Sequence, residues 1–298
     1  MMVSDPHGLD EYFAQVNPDR IRAREAEFER LDLSVMTPEE VYSELMFVIS
    51  LAETRCSSTY AMLPTDSRLI TPGTLLWRGR ALDADDHILP LRDMNSIADA
   101  WEAPPLNVKS AGRLNKVGES LLYTSYDNPL AVPDEIRVGD NEYFSLMKYQ
   151  TFDELRLTAI GLPVPLEHLS DSAYLGAEVI SGFFGRQFSR KARTKDGAQY
   201  QLSELIAKYN YDLPPEIHHG WIYPSVELPG ALNVTLRPEE AHLRMALAGV
   251  CICKAFRSAE GLKISGILYS DGADNGRGFK WHQQGSPVQL ELFPEFAS

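Results

Sequence analysis

Two arginines, Arg78 and Arg80, are the first residues of the chain whose types and spacing suggest a chemical role. They lie in the run 75–81, whose residue types predict a β-strand. Because side chains alternate along a strand, both guanidinium groups should share one face, with Trp77 and Gly79 on the other. Two guanidinium groups in a cleft can bind a pyrophosphate through paired, charge-assisted hydrogen bonds. The structural alternative is a pair of arginines that are solvated or bonded to acidic residues.

Other reactive residues give weaker signals. Cys251 and Cys253 would share a face of a predicted strand, and His218 and His219 are adjacent, but no two-pair spacing of metal ligands is present. We therefore predict no metal site and interpret the two cysteines as small buried hydrophobic residues. The glycines of residues 270–278 do not follow a strand and open a helix, as a dinucleotide fingerprint requires.

Residues 1–65 are predicted to form an N-terminal helical extension. Asn17 could start one helix, and Thr37 could start another. The second start is the stronger signal because Thr37 is followed by Pro38 and Glu40, which suit the first turn of a helix with a capping box. Four apolar residues then recur at helical spacing and predict a buried stripe: Val41, Leu45, Val48 and Ala52.

Residues 66–298 are predicted to form a second domain of the α+β class. Short apolar runs separated by Pro, Gly, Asn and Asp replace the helical pattern from residue 66 onward. No internal repeat or low-complexity tract interrupts this texture. The patterns predict strands at 75–81, 121–125, 220–223, 232–236, 245–256, 262–269 and 288–292, and helices at 96–101, 174–184 and 200–209.

Composition argues against two classes of partner. The chain has 28 basic and 42 acidic residues, a formal charge of −14, which opposes binding to a nucleic-acid backbone. Hydrophobic residues make up 44% of the chain, and the longest apolar runs are too short to cross a bilayer. The first residues lack the sections of a secretory signal, so we expect a cytoplasmic protein that binds neither nucleic acid nor membrane.

Three segments, in order, resemble the RES domain family of NAD-degrading toxins from bacterial toxin–antitoxin systems. They are LLWRGR at 75–80, GRLNKVGESLLYTSYDNPLAVPDEIR at 112–137 and GWIYPSVELPGALNVTL at 220–236. The fold of this family is similar to that of ADP-ribosyltransferases of the diphtheria toxin type. The resemblance therefore implies a mixed β core with flanking helices, which binds NAD as a substrate and needs no cofactor.

The resemblance implies a set of cationic NAD-binding residues. Arg78 matches the arginine of the family's first strand, which can bind a phosphate of NAD, and Arg80 is a second candidate. Gly112, Arg113 and Asn115 match the family's phosphate loop, in which glycine permits close backbone approach and arginine supplies charge. The structural alternative is a polar turn with a solvated arginine.

Three further residues match family positions that the resemblance assigns to NAD binding. Tyr123 could place its ring against nicotinamide, although a core tyrosine is the obvious alternative. Ser225 and Asn233 match the family's serine segment and the strand after it, and Ser225 would position a ribose or phosphate oxygen. We do not interpret Ser225 as a nucleophile, because no histidine lies in a sequence relation that would activate it, and an ST-turn is its structural alternative.

Glu135 matches the catalytic glutamate of the family. Departure of nicotinamide leaves positive charge on the ribose, and a carboxylate facing that charge stabilises the transition state more than the substrate. Asp134 is the second candidate, because Pro133 is expected to interrupt the helix here and the spacing from Tyr123 is one residue longer than in many relatives. Both acids could instead lie on a solvated helix face.

The resemblance implies an enzyme that breaks the bond between nicotinamide and ribose. Capture of the ribosyl cation by water, phosphate or a protein would make it an NAD glycohydrolase, a phosphorylase or an ADP-ribosyltransferase, respectively. The residues leave these outcomes open, and the resemblance favours net destruction of NAD by a toxin that a cognate antitoxin protein blocks. A different class also stays open: a catalytically inactive module that binds nucleotides or proteins.

Overall fold

The structure is a computed structural model that describes residues 6–55, 61–82, 94–163, 169–190, 198–259, 261–273 and 278–296. Helices and strands are mixed along the chain, which is a mixed α+β fold as predicted. The helices are α1 (Pro6–Ala14), α2 (Pro18–Phe28), α3 (Pro38–Ile49), α4 (Ile97–Ala100), α5 (Val132–Glu135), α6 (Asp171–Phe188), α7 (Ala198–Asn210), α8 (Pro238–Arg244) and α9 (Pro287–Leu292). The strands are β1 (Asp66–Ile70), β2 (Leu75–Ala81), β3 (Leu122–Tyr126), β4 (Tyr143–Thr151), β5 (Leu155–Ala159), β6 (Gly220–Pro224), β7 (Leu232–Leu236), β8 (Met245–Ser258), β9 (Gly261–Ser270) and β10 (His282–Gln283).

The chain folds into two compact units. The first contains the described parts of residues 1–68, 110–116 and 158–214, and the second contains those of 69–109, 117–157 and 215–298. This division differs from the predicted boundary between 65 and 66, because the N-terminal helices pack with α6 and α7 from much later in the sequence. A change of local pattern marks where strands begin along the chain, but it does not reveal which distant helices share a core.

The first unit is mainly helical, and the sequence predicted the residues at which two of its helices begin. Asn17 caps α2 by accepting from the backbone N–H groups of Asp19 and Arg20, and Thr37 and Glu40 form the capping box of α3. The buried stripe is confirmed at positions 41, 45 and 48 of α3, whereas position 52 lies beyond the end of that helix. Among the described helices, none is long and apolar enough to cross a membrane.

The second unit is built on a sheet. Strands β2, β3, β4 and β6 to β10 lie wholly in this unit, whereas β1 and β5 lie only partly in it. The strand order is β1-β5-β6-β7-β3-β2-β4-β8-β9-β10, and each neighbouring pair from β6 to β10 is antiparallel. The predicted strand at 75–81 is confirmed as β2, and the predicted helix at 96–101 is confirmed as α4. Strand β4 lies beside β2 but was not predicted, because most of its residues are buried on both faces and no polar alternation marks it.

One predicted element is wrong in type. Residues 288–292 were predicted as a strand, but they lie in α9. Ser286 caps this helix by accepting from the backbone N–H of Gln289, and Pro287 occupies its first turn. These start signals decide the structure because the short apolar alternation of V-Q-L-E-L is compatible with either a strand or one helical turn.

Candidate functional site

Strand pairing places several of the predicted site residues on one face of the sheet. Ser125 of β3 lies opposite Asn233 of β7, and Tyr123 lies opposite Thr235. On the other side of β3, Ser125 pairs with Trp77 of β2. Because residues directly opposite each other in an antiparallel pair point to the same face, all five side chains share it. We call this the Glu135 face, since Glu135 is bonded to Asn233 on it.

The carboxylate of Glu135 is held by two buried side chains. Ser225 Oγ donates to Glu135 Oε1 over 2.5 Å, and Asn233 Nδ2 donates to the same oxygen over 2.8 Å. Both donors are buried, whereas Glu135 itself is half-buried. Oε2 of Glu135 accepts neither bond. The carboxylate is therefore fixed through one oxygen, and neither of these two bonds uses the other.

Ser225 also has the structural role that its sequence allowed. It follows β6, and its hydroxyl oxygen accepts from the backbone N–H of Leu228 over 2.9 Å, which is an ST-turn. Its backbone N–H donates to Ala231 O over 2.8 Å. The turn fixes the oxygen so that its proton is directed at Glu135. The same hydroxyl group therefore closes the turn and holds the carboxylate of Glu135.

Helix α5 brings Glu135 to the sheet, and Gly79 makes its approach possible. Pro133 lies in the first turn of α5, where a missing N–H costs nothing, so it does not interrupt the helix as predicted. A Cβ at Gly79 would overlap Val132 Cγ1 and would lie 2.7 Å from Ile136 Cδ1. The absence of a side chain at Gly79 is therefore what lets the side chains of Val132 and Ile136, on either side of Glu135, pack directly on β2.

Asp134 has a different partner from its neighbour. Its Oδ1 accepts from Arg257 Nη2 at 2.7 Å, and both side chains are partly exposed. Successive residues of a helix point about 100° apart, so Asp134 and Glu135 cannot serve the same position. The geometry distinguishes the two candidate carboxylates: Glu135 is bonded to Ser225 and Asn233, and Asp134 forms a surface ion pair.

Arg78 and Arg80 lie on the opposite face of β2 from Glu135. They alternate with Trp77, which belongs to the Glu135 face, and they share a face with Leu76, which pairs with Tyr149 of β4. The predicted sharing of one face by both arginines therefore agrees with the register. The register does not bring Arg78 to Glu135, because the two side chains lie on opposite faces of β2.

The side chains of both arginines hydrogen-bond to backbone oxygens of helix α4. Arg78 Nη1 donates to Ala100 O over 3.4 Å, and Arg80 Nη1 donates to Asp99 O over 3.3 Å. The hydroxyl of Tyr149 also donates to Ala100 O. Burial raises the pKa of Tyr149 to about 12, so its phenol stays protonated as a donor. Both arginines thus attach α4 to the sheet. They bond to groups of the protein, as in the structural alternative of arginines bonded to acidic residues, but the bonded atoms are backbone oxygens.

We expect Arg78→Gln to change stability more than substrate binding. An arginine that binds a phosphate of NAD contributes a charge-assisted bond of roughly 1.5–3 kcal/mol, so its loss would raise KM by roughly 10-fold or more. On the face opposite Glu135, Arg78 should leave KM for NAD within about 3-fold of wild type while its lost bond to α4 lowers the unfolding midpoint. Steady-state kinetics and thermal unfolding measure the two effects, and a large KM increase at unchanged stability would return Arg78 to the substrate site.

The Arg113 side chain hydrogen-bonds to backbone carbonyl groups at the carboxyl end of α6, in the first unit. Its Nη1 donates to Phe188 O over 2.8 Å and to Arg190 O over 3.2 Å, at the carboxyl end of α6. Its guanidinium carbon lies 5.9 Å from the centre of the Tyr200 ring. The carbonyl groups at the carboxyl end of a helix and the helix dipole both favour a cation there. Arg113 was the strongest cationic candidate for NAD binding, and the structure gives it a capping role.

The other residues of the predicted phosphate loop form hydrogen bonds within the loop. Gly112 N donates to Asn115 O over 3.0 Å, and Asn115 Nδ2 donates to Lys116 O over 2.9 Å. Gly118 has a φ of +79°, which glycine adopts without strain. Gly112, Arg113 and Asn115 belong to the first compact unit, whereas Glu135 belongs to the second. Their proposed contact with phosphate stays a prediction.

We expect Arg113→Ala to lower the free energy of unfolding by about 1–2 kcal/mol, because two carbonyl groups at the end of α6 lose a charged donor. Urea unfolding followed by circular dichroism measures this change. The exposed Arg30→Ala provides a matched control that removes the same charge. Unchanged stability together with a large rise in KM for NAD would show that Arg113 serves the substrate instead.

Sequence reasoning missed Ser125 on the Glu135 face. The signal was present, because Ser125 lies two residues after Tyr123 in a predicted strand and must share its face. Trp77, on the same face, was predicted to lie opposite the two arginines but was not considered as a site residue. Neither Ser125 nor Trp77 belongs to a recognisable sequence motif. Only the pairing of β2, β3 and β7 brings the two residues close to Asn233.

Comparisons of the chain with protein-family models, with curated proteins and with solved structures found no match. A carboxylate fixed through one oxygen, with the aromatic side chain of Tyr123 on the same face of the sheet, can stabilise positive charge that develops in a transition state. Among the described residues, no cluster of three or more histidine, cysteine or acidic side chains could hold a metal ion.

Proposed function

We propose that this protein is an NAD-consuming enzyme that cleaves the bond between nicotinamide and ribose, with Glu135 as the catalytic carboxylate. The observation that carries the proposal is the fixation of Glu135 Oε1 by Ser225 and Asn233, which leaves Oε2 for the substrate. The resemblance of residues 112–137 and 220–236 to the RES domain family supports it, because these are the segments that supply all three residues.

The proposed chemistry needs a negative charge that is in place before the bond breaks. As nicotinamide leaves, the bonding electrons move to the pyridine nitrogen and the ribose becomes an oxocarbenium ion. Glu135 Oε2 accepts from a hydroxyl of that ribose and faces the new positive charge. Because Ser225 and Asn233 already hold the other oxygen, little reorganisation is needed at the moment of reaction.

Tyr123 provides the aromatic side chain of the proposed site. It is half-buried on the Glu135 face and lies two residues from Ser125 along β3. Its ring offers a flat apolar surface for nicotinamide, a group that must be bound yet released first. This assignment agrees with the role that the family resemblance implies for Tyr123.

The ribosyl cation has three possible acceptors in this proposal. Water gives an NAD glycohydrolase, phosphate gives a phosphorylase, and a protein side chain gives an ADP-ribosyltransferase. We favour net destruction of NAD in the cytoplasm by a toxin that an antitoxin protein restrains, because the segments around Glu135 resemble a family with that activity.

The test is to incubate the purified full chain with NAD and to separate the products by chromatography. Reactions with and without inorganic phosphate distinguish phosphorolysis from hydrolysis, and labelled NAD with bacterial lysate reports transfer to protein. The proposal predicts release of free nicotinamide in every active arm. Binding of NAD without release of nicotinamide would instead support a nucleotide-binding module, and the absence of both would contradict the proposal.

A further inference from the structure

We propose that Ser125 and Asn233 form a subsite for a primary carboxamide, which in the proposed reaction is the carboxamide of nicotinamide. The inference rests on the proposed function for the identity of the ligand. It concerns two polar atoms on the Glu135 face that the cleavage chemistry does not use: the hydroxyl of Ser125 and the side-chain carbonyl oxygen of Asn233.

Both atoms are buried and unpaired among the residues that the structure describes. Ser125 is 3% exposed and Asn233 is 6% exposed. Ser125 Oγ and Asn233 Oδ1 have no hydrogen-bond partner in this part of the chain. The two residues are directly opposite each other on β3 and β7, so their side chains are neighbours on the Glu135 face. An unpaired buried polar atom is costly, and two adjacent ones indicate a place where a ligand supplies the missing bonds.

The orientation of Asn233 is determined by its bond to Glu135. An ionised carboxylate only accepts hydrogen bonds, so the Nδ2 group of Asn233 must face Glu135 Oε1, as it does over 2.8 Å. The carbonyl oxygen of the same amide is then directed away from the carboxylate and can only accept. Ser125, by contrast, has a hydroxyl that can donate or accept.

The missing partners define a chemical class of ligand. Asn233 Oδ1 needs a donor, and Ser125 can supply a proton to an acceptor. A primary carboxamide provides an N–H₂ donor and a carbonyl acceptor on one small planar group. Nicotinamide carries this group on a ring that the Tyr123 side chain, on the same face, can contact. The same contacts would hold the leaving group at a fixed position relative to Glu135.

The subsite should reject a carboxylate in place of the carboxamide. Nicotinic acid adenine dinucleotide differs from NAD in this group alone, and its carboxylate has no donor for Asn233 Oδ1 and adds a negative charge near Glu135. A site built around hydrogen bonds discriminates strongly against an analogue that leaves its polar groups unpaired, and we expect kcat/KM to be roughly 100-fold lower for the deamidated dinucleotide.

The first experiment measures kcat/KM for both dinucleotides with the full-length protein and two variants. Ser125→Ala should lower kcat/KM for NAD by roughly 10-fold and reduce the preference for NAD over its deamidated analogue. Its unfolding midpoint should stay the same or rise, because an unpaired buried hydroxyl is removed. The matched control is Ser145→Ala, which removes a buried strand hydroxyl that is bonded to Arg80 O on the opposite face and should leave the preference unchanged.

The second experiment measures binding of nicotinamide and of nicotinate to the full-length protein by calorimetry. The subsite requires nicotinamide to bind more tightly than nicotinate and requires Ser125→Ala to remove that difference, whether or not NAD is cleaved. Equal binding of the two compounds, or equal kcat/KM for the two dinucleotides, overturns the subsite and leaves the cleavage proposal in place. Selective binding of nicotinamide without its release from NAD would contradict the cleavage proposal and support the subsite.

Discussion

Glu135→Gln is expected to lower kcat for release of nicotinamide from NAD by roughly 1000-fold, the loss seen when a fixed electrostatic partner of a transition state is removed. The amide oxygen of the new side chain can occupy the position of Oε1 and accept from Ser225 and Asn233, so the bonds that hold the site are kept. The negative charge is lost with little change of shape. Initial rates of nicotinamide release, together with thermal unfolding, separate this effect from misfolding.

Asp134→Asn provides the matched control for that variant. It also removes one carboxylate charge from α5, but the charge is paired with Arg257 on the surface. We expect its kcat to stay within about 3-fold of wild type, because exposed ion pairs contribute little. If Asp134→Asn lost activity while Glu135→Gln kept it, the catalytic role would pass to Asp134, and the geometry around Ser225 would need another explanation.

Gly79→Ala is expected to have the second largest effect, although residue 79 carries no reactive group. The added methyl would overlap Val132 Cγ1 and crowd Ile136 Cδ1, so α5 must move away from β2. Overpacking of this kind costs roughly 1–3 kcal/mol of stability. A shift of about 1 Å in a catalytic group can cost roughly 100-fold in rate, so we expect kcat to fall by about that factor.

A compensating substitution tests whether the loss arises from that contact. In the double variant Gly79→Ala with Val132→Ala, the nearest obstructing methyl group is removed, and part of the activity should return. Gly182→Ala is the control, because a methyl there would lie 3.1 Å from only the flexible end of Arg186. Wild-type kinetics for Gly79→Ala alone would show that the position of α5 does not depend on Gly79.

Local signals predicted the parts of the fold that short segments determine. The capping residues Asn17 and Thr37 start their helices as expected, and β2 has the predicted bounds. Strand β4 could not be predicted, because it is covered on both faces and its pattern lacks alternation. The domain boundary could not be predicted either, since it depends on packing between the N-terminal helices and α6.

The candidate site shows the same limit at the level of single residues. Glu135, Ser225 and Asn233 were each predicted from the resemblance, but their mutual bonds join residues 90 and 98 positions apart in the sequence. Alternation correctly placed Arg78 and Arg80 together, yet it could not say that Glu135 lies on the other face. Arg113 shows a different limit, because a cation that caps a helix and a cation that binds phosphate have the same residue type and similar surroundings in sequence.

The most direct test is a crystal structure of the Glu135→Gln variant with NAD bound, because this variant should bind the dinucleotide without consuming it. The central claim predicts that the nicotinamide ribose lies within hydrogen-bond distance of residue 135, on the face that carries Tyr123 and Asn233. A dinucleotide bound instead beside Arg78, on the opposite face of β2, would contradict the claim that Glu135 meets the charge on the ribose.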